Sequence, residues 1–200
     1  MARIKGVSSA QAGWYVRLVY HLTGRGIARL TGREPKGMIE PIELYAHLPV
    51  LFKGYTRLEH ATGKLHGISK RLQALADLKA ATLIQCEYCI DMGSAISHAW
   101  GLTDEELLAL PNYQTSALFS DLDKLVLDYA VAMSRTPVDV SDDLFDRLRH
   151  HLDDGQLVEL THRIALENMR GRFNKALGVG AAGFSKGMTC AVPVAASGPF

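Results

Sequence analysis

Cys86-Glu87-Tyr88-Cys89 is a C-x-x-C motif, two thiols three residues apart. At the start of a helix that spacing puts both side chains on one face. Their Cα atoms would then stand about 5 to 6 Å apart, within the range a disulfide requires. A thiol at a helix N-terminus also meets unpaired backbone N–H groups and the positive end of the dipole, which lower its pKa below the usual value of about 8.5. Nucleophile and resolving thiol would thus share one turn. A structural zinc site would need two further ligands at recognisable spacing; Cys190 is solitary and the eight histidines are scattered. A thioredoxin-type motif would follow a strand, whereas this one follows an apolar helical run. The residues themselves leave two readings open, a redox pair or two small buried hydrophobes.

The elements that must position the pair read as helices. Ser69 is a candidate N-cap for a helix reaching about Gln85, with Leu72, Leu75, Ala76, Leu78, Ala80, Leu83 and Ile84 on a face broad enough to imply burial. Residues 86–100 form the helix that carries the motif, closed by Gly101. Thr103-Asp104-Glu105-Glu106 then has the capping-box pattern. Ser120, Ser141 and Asp153 or Asp154 are candidate caps for helices over 121–134, 142–152 and onward to about Leu177. Upstream, residues 9–31 have amphipathic helical spacing with a break expected near Gly24 and Gly26, and Pro49 can open a helix through about Thr62. No strand alternation of useful length and no repeat is present. The expected class is therefore all-α, a single-domain bundle of seven or eight helices.

The expected organisation is a basic helical arm over 1–40, a helical domain over 41–180 and an irregular, mobile tail over 181–200 that carries Cys190. Lys and Arg total 22 against 21 Asp and Glu. That balance provides no global field for nucleic acid. Charge is nonetheless blocked: 1–40 is basic and 101–160 acidic, which suits solvated faces or faces that meet across an interface. No segment has the roughly 18 to 20 consecutive apolar residues of a membrane span, and no signal-peptide pattern follows Met1, so a cytoplasmic protein is the expectation.

Residues 69–110 resemble the carboxymuconolactone decarboxylase superfamily and its alkylhydroperoxidase D-like branch. The resemblance rests on Lys70-Arg71-Leu72, Ala80-Ala81-Thr82, Cys86-Glu87-Tyr88-Cys89-Ile90-Asp91 and Ala99-Trp100-Gly101-Leu102-Thr103-Asp104-Glu105-Glu106-Leu107. A longer form of that family matches Ala46-His47-Leu48-Pro49 and Glu167–Asn174 with Gly183-Phe184-Ser185 as well. The resemblance implies an all-α homo-oligomer in which Cys89 attacks a peroxide and Cys86 resolves the sulfenic acid. It also implies a proton relay of a histidine four residues after the second cysteine and a glutamate twelve before the first. Those positions are Gly93 and Ala74.

Other groups are weaker candidates. Asp77 could share the helical face of the missing glutamate, or be a solvated charge. Tyr88 could hydrogen-bond a peroxide or thiolate, or only pack the helix entrance. His98 is half a turn out of phase with Cys89 and should face away, while His47 and His60 could come from another helix or another subunit. Arg172 and Asn174 suggest no chemistry beyond capping, packing or contact. The leading reading is a thiol-dependent peroxidase or disulfide oxidoreductase with a small peroxide substrate, a dithiol reductant, no bound cofactor, and neither nucleic acid nor membrane as partner. Its rivals are a non-catalytic helical oligomer that has lost the relay and a lyase acting on a lactone-like substrate. Restoring the relay with Gly93→His and Ala74→Glu is expected to raise peroxide turnover about tenfold or more, provided the space is open.

Overall fold

The computed structural model describes residues 2–32 and 39–193; of the turn-rich stretch Thr31–Gly37, residues 33–37 lie outside them. Among the described residues there are nine α-helices, one 3-10 turn at Leu110–Asn112 and no strand. In chain order the helices are α1 (Trp14–Thr31), α2 (Glu40–Tyr45), α3 (Pro49–Thr62), α4 (Lys70–Ile84), α5 (Glu87–Ala99), α6 (Asp104–Ala109), α7 (Asp121–Ser134), α8 (Asp142–Arg149) and α9 (Asp154–Leu177).

Short polar side chains set five of the starts. Ser69, Thr103, Ser120, Ser141 and Asp153 each accept the backbone N–H three residues on, and Thr103, Ser120 and Asp153 complete reciprocal capping boxes with Glu106, Asp123 and Gln156. The expected break in α1 does not occur. Gly24 and Gly26 stay helical within one continuous element, since a helical glycine costs only about 1 kcal/mol and the amphipathic pattern continues on both sides.

Helix α4 is the axis of the bundle and packs against α5, α7 and α9. Its broad apolar surface serves two cores. Ala74, Leu75, Leu78 and Ala81 join Cys86, Cys89, Ile90, Leu107 and Leu127 in one. Leu72, Ala76 and Ala80 join Val126, Leu148, Leu160 and Ile164 in the other. A smaller cluster of Tyr20, Tyr45 and Phe52 ties α1 and α2 to α3.

The tail is irregular through residue 193, with 194–200 outside the described residues, yet it is bonded to the bundle. Residues 179–193 lack regular structure but are held down by Asp91 on α5. One Asp91 oxygen accepts the N–H groups of Ala182, Gly183 and Phe184, and the other accepts the Ser185 N–H at 2.8 Å and its hydroxyl. Burial opposes ionisation of this carboxyl, but the bonds from Ser185, Phe184 and Gly183 outweigh it and hold the pKa below the usual range. Glycine and short side chains let the backbone fold around one anion, so the composition that suggested mobility supplies a clamp instead.

Candidate functional site: the Cys86–Cys89 pair

Cys86 sits where two helices meet. Helix α4 ends with Gln85 in the left-handed region (φ 56°), the Gln85 N–H on Thr82 O and the Cys86 N–H on Ala81 O. This is the Schellman arrangement, with a non-glycine residue in the left-handed position. Cys86 is at the same time the N-cap of α5, its Sγ accepting the Cys89 N–H at 3.2 Å. One residue therefore closes α4 and opens α5. Cys86 and Cys89 are joined as a disulfide, with Cα atoms 5.2 Å apart. Cys86 is fully buried, whereas Cys89 keeps 8% of its surface.

A third residue completes the cluster from the far end of the chain. The Asn174 amide nitrogen lies 3.7 Å from Cys86 Sγ and 3.5 Å from Cys89 Sγ. Disulfide sulfurs only accept, so this geometry fixes the amide with its NH2 toward them. The residue is buried and its Oδ1 has no partner. Two features hold it there. Helix α9 ends just beyond it in the same Schellman pattern, with the Val179 N–H on Asn174 O and the Gly178 N–H on Lys175 O. One turn earlier Gly171 faces Ile84, where a Cβ would come within 3.0 Å of the Ile84 side chain. The missing side chain lets α9 approach the α4–α5 corner.

The same face of α9 carries a buried ionic stripe at helical spacing: Arg163, Glu167, Arg170 and Asn174. Arg163 pairs with Asp77 on α4. Arg170 pairs with Glu59 on α3, Nε to Oε1 at 2.8 Å with its NH2 on the other oxygen, and reaches Glu167 at 3.0 Å. Three carboxyls thus share two guanidiniums. Burial, with repulsion from Asp77 and Glu59, pushes Glu167 up to about 7 against the pull of Arg170. Glu59, doubly bonded by Arg170, is held below the usual range although burial opposes it.

Sequence comparison places this site in a family. The carboxymuconolactone decarboxylase family model matches residues 49–131, which include the cysteine pair. The protein YnjA of Escherichia coli (strain K12) is 34% identical over 154 residues, covering 74% of this chain and 82% of that protein. The chain belongs to the carboxymuconolactone decarboxylase family. Its fold is shared by the apo form of the debrominase Bmp8 (TM-score 0.73, 20% identity, 90% of this chain and 91% of that one). It is shared too by an alkylhydroperoxidase AhpD core from Ralstonia eutropha JMP134, a peroxidase-related protein (TM-score 0.68, 19% identity, 88% and 90%).

For a carboxymuconolactone decarboxylase family member with this cysteine motif, the seam between α4 and α5 is narrow where a relay would stand. A Cβ on Gly93 would meet Leu78 Cδ1 at 3.1 Å, and Ala74, one turn before Leu78, is buried in the same core. The space assumed for the two relay substitutions is tight: Leu78 would have to give by a few tenths of an ångström at Gly93, and Ala74 is buried. Asp77 is neither a free solvated charge nor bonded to a sulfur, because Arg163 engages it. The Tyr88 ring packs edge-on against Phe184 at 5.7 Å, and its buried hydroxyl has no partner. His98 faces away as expected, its Nε2 2.9 Å from Thr189 O in the tail, and His47 is bonded to Lys5 O. Cys190 is exposed, with its Sγ 2.8 Å from Ser185 Oγ. Among the described residues no group of three or more His, Cys, Asp or Glu is placed to hold a metal ion, and no helix is long and apolar enough to cross a membrane.

Sequence alone did not point to Glu167 as a buried carboxyl of raised pKa or to Asn174 as a donor to the sulfurs. The signal was available. Leu157, Leu160 and Ile164 set the buried register of α9, and the same register continues into Glu167, Gly171 and Asn174. Polar residues in an apolar register mark an interior site.

Proposed function

We propose that the protein is a thiol-dependent peroxidase or disulfide oxidoreductase working through Cys86 and Cys89, with a small peroxide as oxidant and a dithiol as reductant. The observation that carries this reading is the pair itself, bonded at a helix start with N–H donors from Cys89 and Asn174 on its sulfurs. Cys89, the more accessible of the two, attacks the distal peroxide oxygen as thiolate. The O–O bond breaks, an alcohol or water leaves, and a sulfenic acid forms. The Cys86 thiolate then displaces hydroxide to give the disulfide, and the external dithiol returns both sulfurs to the thiol state. Each cycle needs a proton acceptor on the protein. We assign that role to Glu167, which is buried on the face of α9 that carries Asn174 two turns further on and has its pKa raised to about 7.

One specific observation favours a second reading, thiol–disulfide exchange without peroxide turnover: the α4–α5 seam is packed by Leu78 rather than left open for a base. A peroxide-consumption assay across several dithiols decides between them. The first reading expects turnover that Cys89→Ser abolishes, together with a Cys86–Cys89 peptide two hydrogens lighter after mild peroxide. A pair that oxidises and is reduced by dithiols, yet consumes no peroxide catalytically, selects the second. Thiols that stay free under all conditions overturn both.

A further inference from the structure

We propose that Asn174 sets the redox chemistry of the pair by giving one amide hydrogen to each sulfur, which makes Cys86 the leaving thiolate when the disulfide is reduced by an external thiol entering at Cys89. This deepens the reading above and rests on the pair being redox-active. A carboxamide NH2 has two donors, and both sulfurs lie within reach of the one nitrogen, at 3.5 and 3.7 Å. With its other end unpartnered, the side chain's polar contacts are directed at sulfur alone.

The two sulfurs are not equivalent. Cys86 receives a second donor, the Cys89 N–H, and is sealed from solvent, whereas among the described residues Cys89 has only the Asn174 donor and retains some exposure. A hydrogen bond to an ionised sulfur stabilises the thiolate over the thiol, and the two donors on Cys86 act against the desolvation its burial imposes, so the bonds favour Cys86 as the leaving thiolate. In exchange the lower-pKa sulfur leaves faster and the accessible sulfur is attacked. The step balances: a thiolate R–S⁻ attacks Cys89 Sγ, the Cys86–Cys89 bond breaks, R–S–S–Cys89 forms and Cys86 keeps the electron pair as thiolate. A second thiolate of the dithiol then displaces Cys89, and two protein thiols and one external disulfide result. Helix α9 thereby acts on the motif from 85 residues away in sequence.

The test uses thiolate absorbance near 240 nm on the reduced protein, which reads the Asn174 contact without any peroxide turnover. Asn174→Leu keeps the volume and removes both donors; Asn174→Asp keeps the shape and sets an acceptor against the sulfurs. The expected result is a rise in the lowest thiol pKa of about one unit in Asn174→Leu and more in Asn174→Asp. Reduction of the disulfide by dithiothreitol should be several-fold slower in both. Among single-thiol variants, the Cys86 thiol left in Cys89→Ser should titrate below the Cys89 thiol left in Cys86→Ser. Unchanged thiol pKa values and reduction rates in folded Asn174→Leu and Asn174→Asp overturn the role of Asn174. The reverse order in the single-thiol variants overturns the direction of attack. A wild-type pair that never oxidises overturns the function and leaves the pKa comparison to decide the contact by itself.

Discussion

At Glu167 a single carboxyl couples folding to pH in a direction opposite to most acids. The folded protein holds its proton up to about 7 where the unfolded chain releases it near 4.5. Between those values the folded state binds more protons, so stability contributed by this group is full below pH 4.5 and falls as pH rises to about 7. Glu167→Gln should remove that decline. Urea unfolding across the window should show the wild type losing stability relative to the variant with a slope of up to about one proton, and parallel curves would contradict the assignment. If Glu167 also takes the thiol proton, peroxide turnover in Glu167→Gln should fall about tenfold or more and lose its inflection near pH 7. The relay substitutions meet a different constraint at the same scale. Gly93→His presses on Leu78, and Ala74→Glu buries a carboxylate in the α4–α5 core. The double variant should therefore lose about 2–4 kcal/mol of stability by calorimetry or urea titration rather than gain activity.

Between elements, the decisive contacts are made by helix ends and by the tail. Gln85 and Gly178 end α4 and α9 with the same backbone pattern, and those two ends bring Cys86 and Asn174 together. The stretch of tail from Ala182 to Ser185 is bonded to α5 through Asp91, beside the packing of Phe184 on Tyr88 and the Ala191 N–H on Ser94. Asp91→Ala should release it, at a cost of about 2–4 kcal/mol from the lost charge-assisted bonds. Amide exchange over 182–185 should accelerate and Cys190 should react faster with a thiol reagent; protection unchanged at those amides would refute the clamp. The pH dependence follows from the lowered carboxyl: the contribution is present above the unfolded pKa of about 3.8 and is lost as pH falls through the folded value. Acid should therefore loosen the tail before the bundle.

For the whole molecule, α1 buries little for its 18 residues. Only Tyr20 and Ile27 of its residues are buried, while Trp14, Leu18 and Leu22 stand exposed at four-residue spacing, Trp14 at 72%. An apolar stripe on a basic helix, in a chain whose acidic residues collect in 101–160, suits contact with a second copy. Sedimentation at micromolar concentration should give a mass above one chain that falls in Trp14→Ala with Leu18→Glu. A concentration-independent monomer for the wild type would exclude self-association.

Local physics was legible in the order of residues. The five cap side chains, the helix that carries Cys86 and Cys89, the all-α class and the outward position of His98 each follow from chemistry within a few residues of chain. The resemblance carried by the same stretch led to the family. What lay beyond reach depends on residues far apart in sequence. Asn174 reaches the sulfurs only because Gly171 admits Ile84 and α9 ends where α4 does. The Glu167 pKa is raised only because the carboxyl is buried with Asp77 of α4 and Glu59 of α3 beside it, against the pull of Arg170. Asp91, two residues past the motif, holds the tail through donors some ninety residues downstream. Helix periodicity and capping are set by near neighbours and can be read along the chain; desolvation and the pairing of charges are set by packing, and only the assembled bundle decided them.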